Sequence, residues 1–66
     1  MEIKLNGETR EVDAETTIAR LLEQLGIQPN NLAVEHNGEF LEEDALEHTM
    51  VRAGDRLEVV RFVGGG

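Results

Sequence analysis

The sequence contains no cysteine, tryptophan or tyrosine, and its only aromatic residues are two phenylalanines, Phe40 and Phe62. Without cysteine the chain can form no disulfide, and it offers no thiolate as a metal ligand, a nucleophile or a redox couple. Any sulfur chemistry must therefore take place on a group other than a side-chain thiol. The scarcity of rings leaves the core to Leu, Ile and Val, which are among the residues most often buried.

Positive charge is also scarce, because six Lys and Arg residues stand against 14 Asp and Glu residues, a net charge of -8. Nucleic acids and anionic membranes bind clustered Lys and Arg, so this balance argues against both as partners. No segment approaches the ~20 apolar residues of a membrane span, and no long apolar run follows a basic start at residues 1–5, as it would in a signal peptide. We expect a cytoplasmic protein whose partners, where charge attracts them, are basic.

The chain has 66 residues, enough for one domain. A domain of this size buries only about 60% of the surface that its unfolded chain exposes, so its core is small and a large internal active site is not expected. We expect a folded domain over residues 1–63 and a flexible glycine tail over residues 64–66.

The first half of the chain predicts a hairpin. Apolar and polar residues alternate over residues 1–6, which is typical of a half-buried strand, and Asn6-Gly7 is a strong signal for a tight turn. Residues 8–13 are the expected return strand. Val12 is its only strongly apolar residue, which favours a polar edge strand that resists aggregation.

A helix is predicted next, and Thr16 or Thr17 can cap its first turn. Four apolar residues follow at helical spacing and share one face: Ile18, Leu21, Leu22 and Leu25. Gly26 can adopt the left-handed conformation that ends a helix, and Pro29 prevents its continuation.

The second half predicts two more strands and a short return. Residues 32–36 read as a third strand, followed by a turn at Asn37-Gly38 and a return through residues 40–41. Residues 42–54 are acidic and irregular, with one helical turn over residues 44–48, and the last strand runs from Arg56 to the glycines. The sequence predicts an α+β fold, a mixed sheet of four or five strands with one main helix packed on one face.

The last strand carries apolar residues on both of its faces. We expect Leu57 and Val59 to pack beneath the helix, and Val60 and Phe62 to lie on the open face near the tail as a partner-binding patch. Arg61 alternates with these two residues and could bind an acidic group of a partner, or could simply be solvated. A strand in the middle of a sheet can also be apolar on both faces for packing alone. Both interpretations remain open at this point.

The chain closes on Gly64, Gly65 and Gly66, directly after that strand. Glycine has no Cβ and can lie against a protein surface where a side chain would collide. The reactive group on offer is the Gly66 carboxylate, which is unreactive until it is activated, for example as an acyl-adenylate. Glycine-rich ends can also be frayed termini or remnants of cloning.

Three segments carry a resemblance to a known family. They are residues 17–25, residues 32–39 and residues 54–66, of which only the last, with its Gly-Gly ending, is specific. The whole chain resembles the ubiquitin-like β-grasp sulfur carriers, above all the ThiS family of thiamine biosynthesis. One departure is Leu41-Glu42-Glu43, where that family commonly carries a proline and a basic residue.

The resemblance implies a carrier protein with no catalytic residues, no metal and no bound cofactor of its own. A ThiF-like adenylyltransferase would use ATP to adenylate Gly66, with Gly64 and Gly65 threading its active site. A sulfur donor protein would then supply the sulfur of a thiocarboxylate. A ThiG-like thiazole synthase would consume that sulfur in forming the thiazole of thiamine.

Other functions remain open from the sequence. The carrier could be the MoaD-like small subunit of molybdopterin synthase, or a ubiquitin-like modifier that is joined to target lysines. Lys4 is the only lysine of this chain, which leaves few acceptors for chains of the modifier on itself. A binding module with an inert tail is a third class.

Two further groups of residues are weaker candidates. His36 and His48 come from separate segments and form no recognisable metal pattern, so we expect them to be surface or packing residues. An acidic run could dock on a basic partner or could simply be a solvated face. It comprises Glu39, Glu42, Glu43, Asp44 and Glu47.

Overall fold

A computed structural model describes residues 1–28 and 30–62, which form five strands and two helices. In chain order these are β1 (Glu2–Leu5), β2 (Glu8–Glu11), α1 (Ile18–Gln24), β3 (Leu32–His36), β4 (Glu39–Leu41), α2 (Glu43–Leu46) and β5 (Arg56–Arg61). The strands form one sheet in the order β2, β1, β5, β3, β4. The strand β5 is therefore central, parallel to β1 and antiparallel to β3. The predicted α+β fold with a mixed sheet is confirmed.

Both predicted Asn-Gly turns are present. Asn6 and Gly7 have φ of 50° and 82°, and Asn37 and Gly38 have φ of 51° and 87°. Positive φ at two successive residues is typical of the tight hairpin turn that matches the twist of paired strands. These turns set the register of the two hairpins, with Leu5 opposite Glu8 and His36 opposite Glu39.

The return strand β2 is shorter than predicted and ends at Glu11 rather than at residue 13. Glu11 lies opposite Glu2, the first residue of β1, so the partner strand ends there. Beyond it the Val12 amide donates to the Met1 carbonyl oxygen over 2.8 Å, and the half-buried Val12 side chain packs against the core. All four residues of β2 are exposed, as expected for an edge strand.

The helix α1 forms as the sequence predicts. The Thr17 hydroxyl accepts a hydrogen bond from the Arg20 amide over 3.2 Å, which satisfies one of the free amides of the first turn. Gly26 follows the helix with a φ of 75°, a conformation that favours glycine. Pro29 lies outside the described residues.

The core lies between α1 and one face of the sheet. Its buried members are Ile3, Leu5, Ile18, Leu21, Leu22, Val34, Leu46, Val51 and Leu57. Val59 and Leu25 are partly buried against it. Full burial of one such side chain stabilises the fold by about 1.5–3 kcal/mol, so even one loss is serious in so small a core.

The connection between β4 and β5 adds two buried residues to this core, Leu46 and Val51. Its helical turn, α2, spans Glu43–Leu46, one to two residues earlier than the predicted range 44–48. Glu42 precedes the turn in an extended conformation and its carbonyl accepts from the Ala45 amide, so the turn begins early enough to bury Leu46. Sequence periodicity could not place so short an element.

The two turn asparagines also bind the central strand. The Asn6 side chain accepts from the Val59 amide over 2.8 Å and donates to the Val59 carbonyl over 3.3 Å. It thereby extends the pairing of β5 beyond Leu5, where β1 ends. On the other side, Asn37 accepts from the Arg56 amide through its side chain over 2.8 Å and donates its own amide to the Arg56 carbonyl over 2.8 Å.

Asp55, directly before β5, is held by three donors. Its carboxylate accepts from His36 Nε2 over 2.7 Å, from the Arg52 amide over 2.8 Å and from Asn37 Nδ2 over 3.2 Å. Burial of Asp55 would raise its pKa, but these hydrogen bonds and the charge of protonated His36 outweigh burial and hold the pKa below its ordinary value. The ionised carboxylate thus joins the start of β5 to the end of β3.

We expect Asp55→Asn to lower the free energy of unfolding at pH 7 by about 1–3 kcal/mol, because the amide loses a charge-assisted acceptor. The pKa of Asp55 is lower in the folded protein than its ordinary value of 3.8. The stabilisation is therefore complete above that value and is lost as the pH falls through the folded pKa. Urea unfolding at pH 7 and at pH 3 measures the difference, with the exposed Asp13→Asn as control. A difference from the parent that is equal at both pH values would contradict this account.

The two faces of β5 should respond differently to truncation. Leu57 is buried, whereas Val60 is 53% exposed. We expect Leu57→Ala to lower the free energy of unfolding by about 2–5 kcal/mol, because it opens a cavity in the core. Val60→Ala should change it by less than about 0.5 kcal/mol, as for other surface substitutions. Chemical denaturation of both variants tests this contrast, and similar losses would show that Val60 supports the fold.

Candidate functional site

The central strand leads to the glycine tail. The strand ends at Arg61, before the predicted limit at Val63, and the Phe62 amide donates to the Asn31 carbonyl oxygen over 2.7 Å. Asn31 presents that oxygen from a positive φ of 60°. Phe62 is thus tied to the sheet at the base of the tail. Gly64, Gly65 and Gly66, the predicted site of modification and its approach, lie outside the described residues.

The sheet face opposite α1, here called the open face, carries the predicted apolar residues. Side chains alternate along a strand, so Val60 and Phe62 lie on the face opposite to Leu57. Val60 is 53% and Phe62 is 59% exposed, which confirms that both lie outside the core. Ala33 lies opposite Val60 on β3, and Phe40 on β4, 69% exposed, belongs to the same face. These four residues form what we call the apolar patch.

Arg61 alternates with Val60 and Phe62, as the sequence predicts. It lies opposite Leu32, whose side chain packs against the core, so alternation directs Arg61 to the helix side of the sheet. There it is exposed and lines a shallow pocket of about 310 Å³ with Phe62 and the loop residues 30–31. The three residues predicted to bind a partner therefore occupy both sides of the last strand, next to the tail.

A second concave feature lies at the other end of the open face, between the two Asn-Gly turns. This groove of about 480 Å³ is lined by Lys4, Gly7, Glu35, Asn37, Gly38, Arg56, Leu57 and Glu58. Lys4 lies beside Arg56 in the parallel pairing of β1 and β5. Sequence reasoning missed the groove because its two cations come from opposite ends of the chain. The expectation that the first and last strands pair would have brought them together.

The weaker candidates have ordinary surroundings. His36 is bonded to Asp55, and His48 is exposed. Among residues 1–28 and 30–62, no group of three or more His, Asp or Glu side chains is placed to hold a metal ion. All five residues of the acidic run around β4 and α2 are exposed. In the same described part of the chain, no helix has the length and apolar character needed to cross a membrane.

Solved structures share the whole architecture of this chain. A crystal structure of the thiamine biosynthesis protein ThiS from Geobacter metallireducens is 38% identical, with a TM-score of 0.87 and 100% coverage of both chains. SAMP1 from Haloferax volcanii reaches a TM-score of 0.61 at 24% identity, over 98% of this chain and 97% of its own. The second likeness concerns the fold alone. The fold is the ubiquitin-like β-grasp that the sequence predicts.

Sequence relatives agree with the structural ones. A thiazole synthase from Paramagnetospirillum magneticum is 39% identical over 66 residues, which is 100% of this chain and 20% of that protein. The chain thus spans about a fifth of the length of this relative. A model of the ThiS family matches residues 3–66. That match covers nearly the whole sequence, glycine ending included, and the chain belongs to the ThiS family.

Proposed function

We propose that this protein is a sulfur carrier of thiamine biosynthesis whose working group is the C-terminal carboxylate of Gly66. The observation that carries the proposal is the family match over residues 3–66, which extends through the three glycines. The fold supports it, because the central strand leads directly to the tail and Phe62 is fixed at its base. The chain would be a cosubstrate of its partner enzymes rather than an enzyme.

The chemistry requires activation of an unreactive group. A chain-terminal carboxylate has a pKa of roughly 3.3–3.7, so it is an anion at neutral pH and resists nucleophiles. On a ThiF-like adenylyltransferase, a carboxylate oxygen attacks the α-phosphate of ATP and pyrophosphate leaves. The terminal sulfur of a persulfide on the donor protein then attacks the acyl carbon and AMP leaves, which gives an acyl disulfide. A thiol next attacks the donor's sulfur in that disulfide, forms a new disulfide with it and releases the carrier's sulfur. The product is a thiocarboxylate that holds one sulfur in place of one oxygen.

The tail is suited to delivery into another protein. Gly64 and Gly65 have no Cβ, so they can pass through a channel too narrow for side chains. The partner then positions the Gly66 carboxylate, and positioning of reactants supplies much of the rate in such transfers. The carrier needs no cofactor for this role, and ATP is consumed by the partner.

The acceptor we propose is a ThiG-like thiazole synthase. Support comes from the similarity of this chain to a region of thiazole synthases at 39% identity. A carrier domain within such a protein would lie beside the enzyme that uses its sulfur. The apolar patch around Val60 and Phe62, with Arg61 on the other side of the strand, is the surface we assign to docking on the partner enzymes, the adenylyltransferase included.

Incubation with the adenylyltransferase, ATP, a persulfide-bearing sulfur donor and a thiol should raise the intact mass by about 16 Da, because one sulfur replaces one oxygen of the terminal carboxyl. Deletion of Gly66 should abolish this change while the melting temperature stays that of the parent. Gly65→Val keeps the carboxylate and adds a side chain that should block threading. Intact mass spectrometry measures all three chains. Sulfur transfer to Gly65→Val at the parental rate would contradict threading, and no mass change in the parent would end the proposal.

Charge placed in the apolar patch should impair docking. We expect Val60→Asp to slow thiocarboxylate formation by about tenfold or more, because a buried unpaired charge weakens an apolar interface. Val60 is exposed in the free protein, so its fold should persist. Thr9→Asp, at an exposed position of the edge strand β2, adds the same charge away from the patch and should leave the rate unchanged. Equal rates for the two variants would remove Val60 from the interface.

A further inference from the structure

Two asparagine-glycine pairs form the hairpin turns, Asn6-Gly7 and Asn37-Gly38. Asparagine side-chain amides are among the thermolabile groups of proteins. They are most labile before glycine, because a following residue without a Cβ leaves its backbone nitrogen free to attack the side chain. All four residues are exposed, so water reaches both turns. The sequence alone makes the two pairs equivalent sites for the loss of ammonia.

The fold holds the two asparagine side chains differently. The Asn37 oxygen accepts from the Arg56 amide over 2.8 Å, and Asn37 Nδ2 donates to Asp55 Oδ1 over 3.2 Å. Within the described residues, the side chain of Asn6 bonds to the backbone of Val59 alone, over 2.8 Å and 3.3 Å. Release of Asn6 therefore breaks contacts with one exposed strand position, whereas release of Asn37 also breaks its contact with the buried Asp55.

The Asp55 carboxylate makes Asn37 the better protected of the two asparagines. Asp55 is itself fixed by His36 and by the Arg52 amide, so Asn37 is tied to a network of hydrogen bonds. His36 Nε2 also lies 3.4 Å from Asn37 Nδ2. Deamidation of Asn37 would place a second carboxylate beside that of Asp55, and adjacent carboxylates repel each other. The bonding partners of the Asn6 side chain are uncharged backbone groups, which raise no such opposition.

We propose that Asn6 is a site of spontaneous deamidation, while the contacts of Asn37 protect the second turn. In the reaction the Gly7 backbone nitrogen attacks Asn6 Cγ, the bond from Cγ to Nδ2 breaks, and ammonia leaves with the proton of the Gly7 amide. The product is a five-membered succinimide ring. Water then opens the ring at Cγ, which gives aspartate, or at the main-chain carbonyl carbon of Asn6, which gives isoaspartate. Water is the only co-reactant, and no group is oxidised or reduced.

Either product weakens the support of the central strand. Within the described residues, Asn6 makes the last hydrogen bonds from β1 and its turn to β5, through its side chain and through its amide, which donates to the Leu57 carbonyl over 2.8 Å. Aspartate keeps an acceptor for the Val59 amide but turns a second acceptor toward the Val59 carbonyl oxygen, so one hydrogen bond is lost. Isoaspartate adds a methylene group to the backbone of the tight turn that sets the register of the hairpin. Deamidation therefore loosens β5 just before the tail.

Mass spectrometry of the whole folded chain tests the proposal, with samples taken during incubation at mildly alkaline pH. Trypsin separates the two turns, because Asn6 lies between Lys4 and Arg10, and each deamidation adds about 1 Da as an amide becomes a carboxyl group. A sample taken at the start corrects for deamidation during digestion. We expect the folded chain to react about tenfold faster at Asn6 than at Asn37, and the chain unfolded in urea to react at similar rates at both.

The variant Asp55→Asn tests the protection of Asn37. It should raise the rate at Asn37 and leave the rate at Asn6 at the parental value, whereas the exposed Asp13→Asn should change neither. A rise at both sites in Asp55→Asn would show general unfolding and contradict local protection.

Equal rates at the two sites of the folded parent would overturn the proposal, as would no reaction at Asn6 while the unfolded chain is modified. The deamidated parent, separated by its added negative charge, should melt at a lower temperature than the unmodified chain. An unchanged melting temperature would contradict the loosening of β5.

Discussion

The pairing of β5 between β1 and β3 is the interaction on which the rest of the structure depends. The last strand of the chain lies in the middle of the sheet, so the fold closes only when its C-terminal segment has joined its N-terminal hairpin. Polar groups from both turns secure this strand: Asn6 pairs with Val59, and Asn37 pairs with Arg56. The same strand leads to the glycines, so the segment that both turns secure is also the base of the tail to which we assign the function.

The two faces of the central strand divide stability from recognition. Leu57 fills the core beneath α1, and its burial helps to hold the small domain together. Val60 is exposed on the other face, so its apolar side chain contributes little to the stability of the free protein. Exposed apolar groups that cluster on one face are characteristic of interaction surfaces.

A domain of 66 residues has little interior in which to build an active site. Shallow grooves lie at the two ends of β5, and neither contains a group of metal ligands within the described residues. Chemistry at the terminal carboxylate suits such a molecule, because the reacting atoms can be enclosed by another protein. In the function that we propose, this domain provides the base of the tail, and its open sheet face is the surface assigned to docking.

The sequence by itself determined the local elements and the chemical nature of the end. Asn6-Gly7 and Asn37-Gly38 specify tight turns through their tolerance of positive φ, and the spacing of Leu21 and Leu22 specifies the helix. The resemblance of the chain to the ubiquitin-like β-grasp sulfur carriers predicted the fold. Only the tertiary structure decided that Glu35 faces Glu58 and that His36 binds Asp55. These contacts join residues from separate strands and loops, and strand register and side-chain direction arise from packing of the whole sheet, which no local pattern encodes.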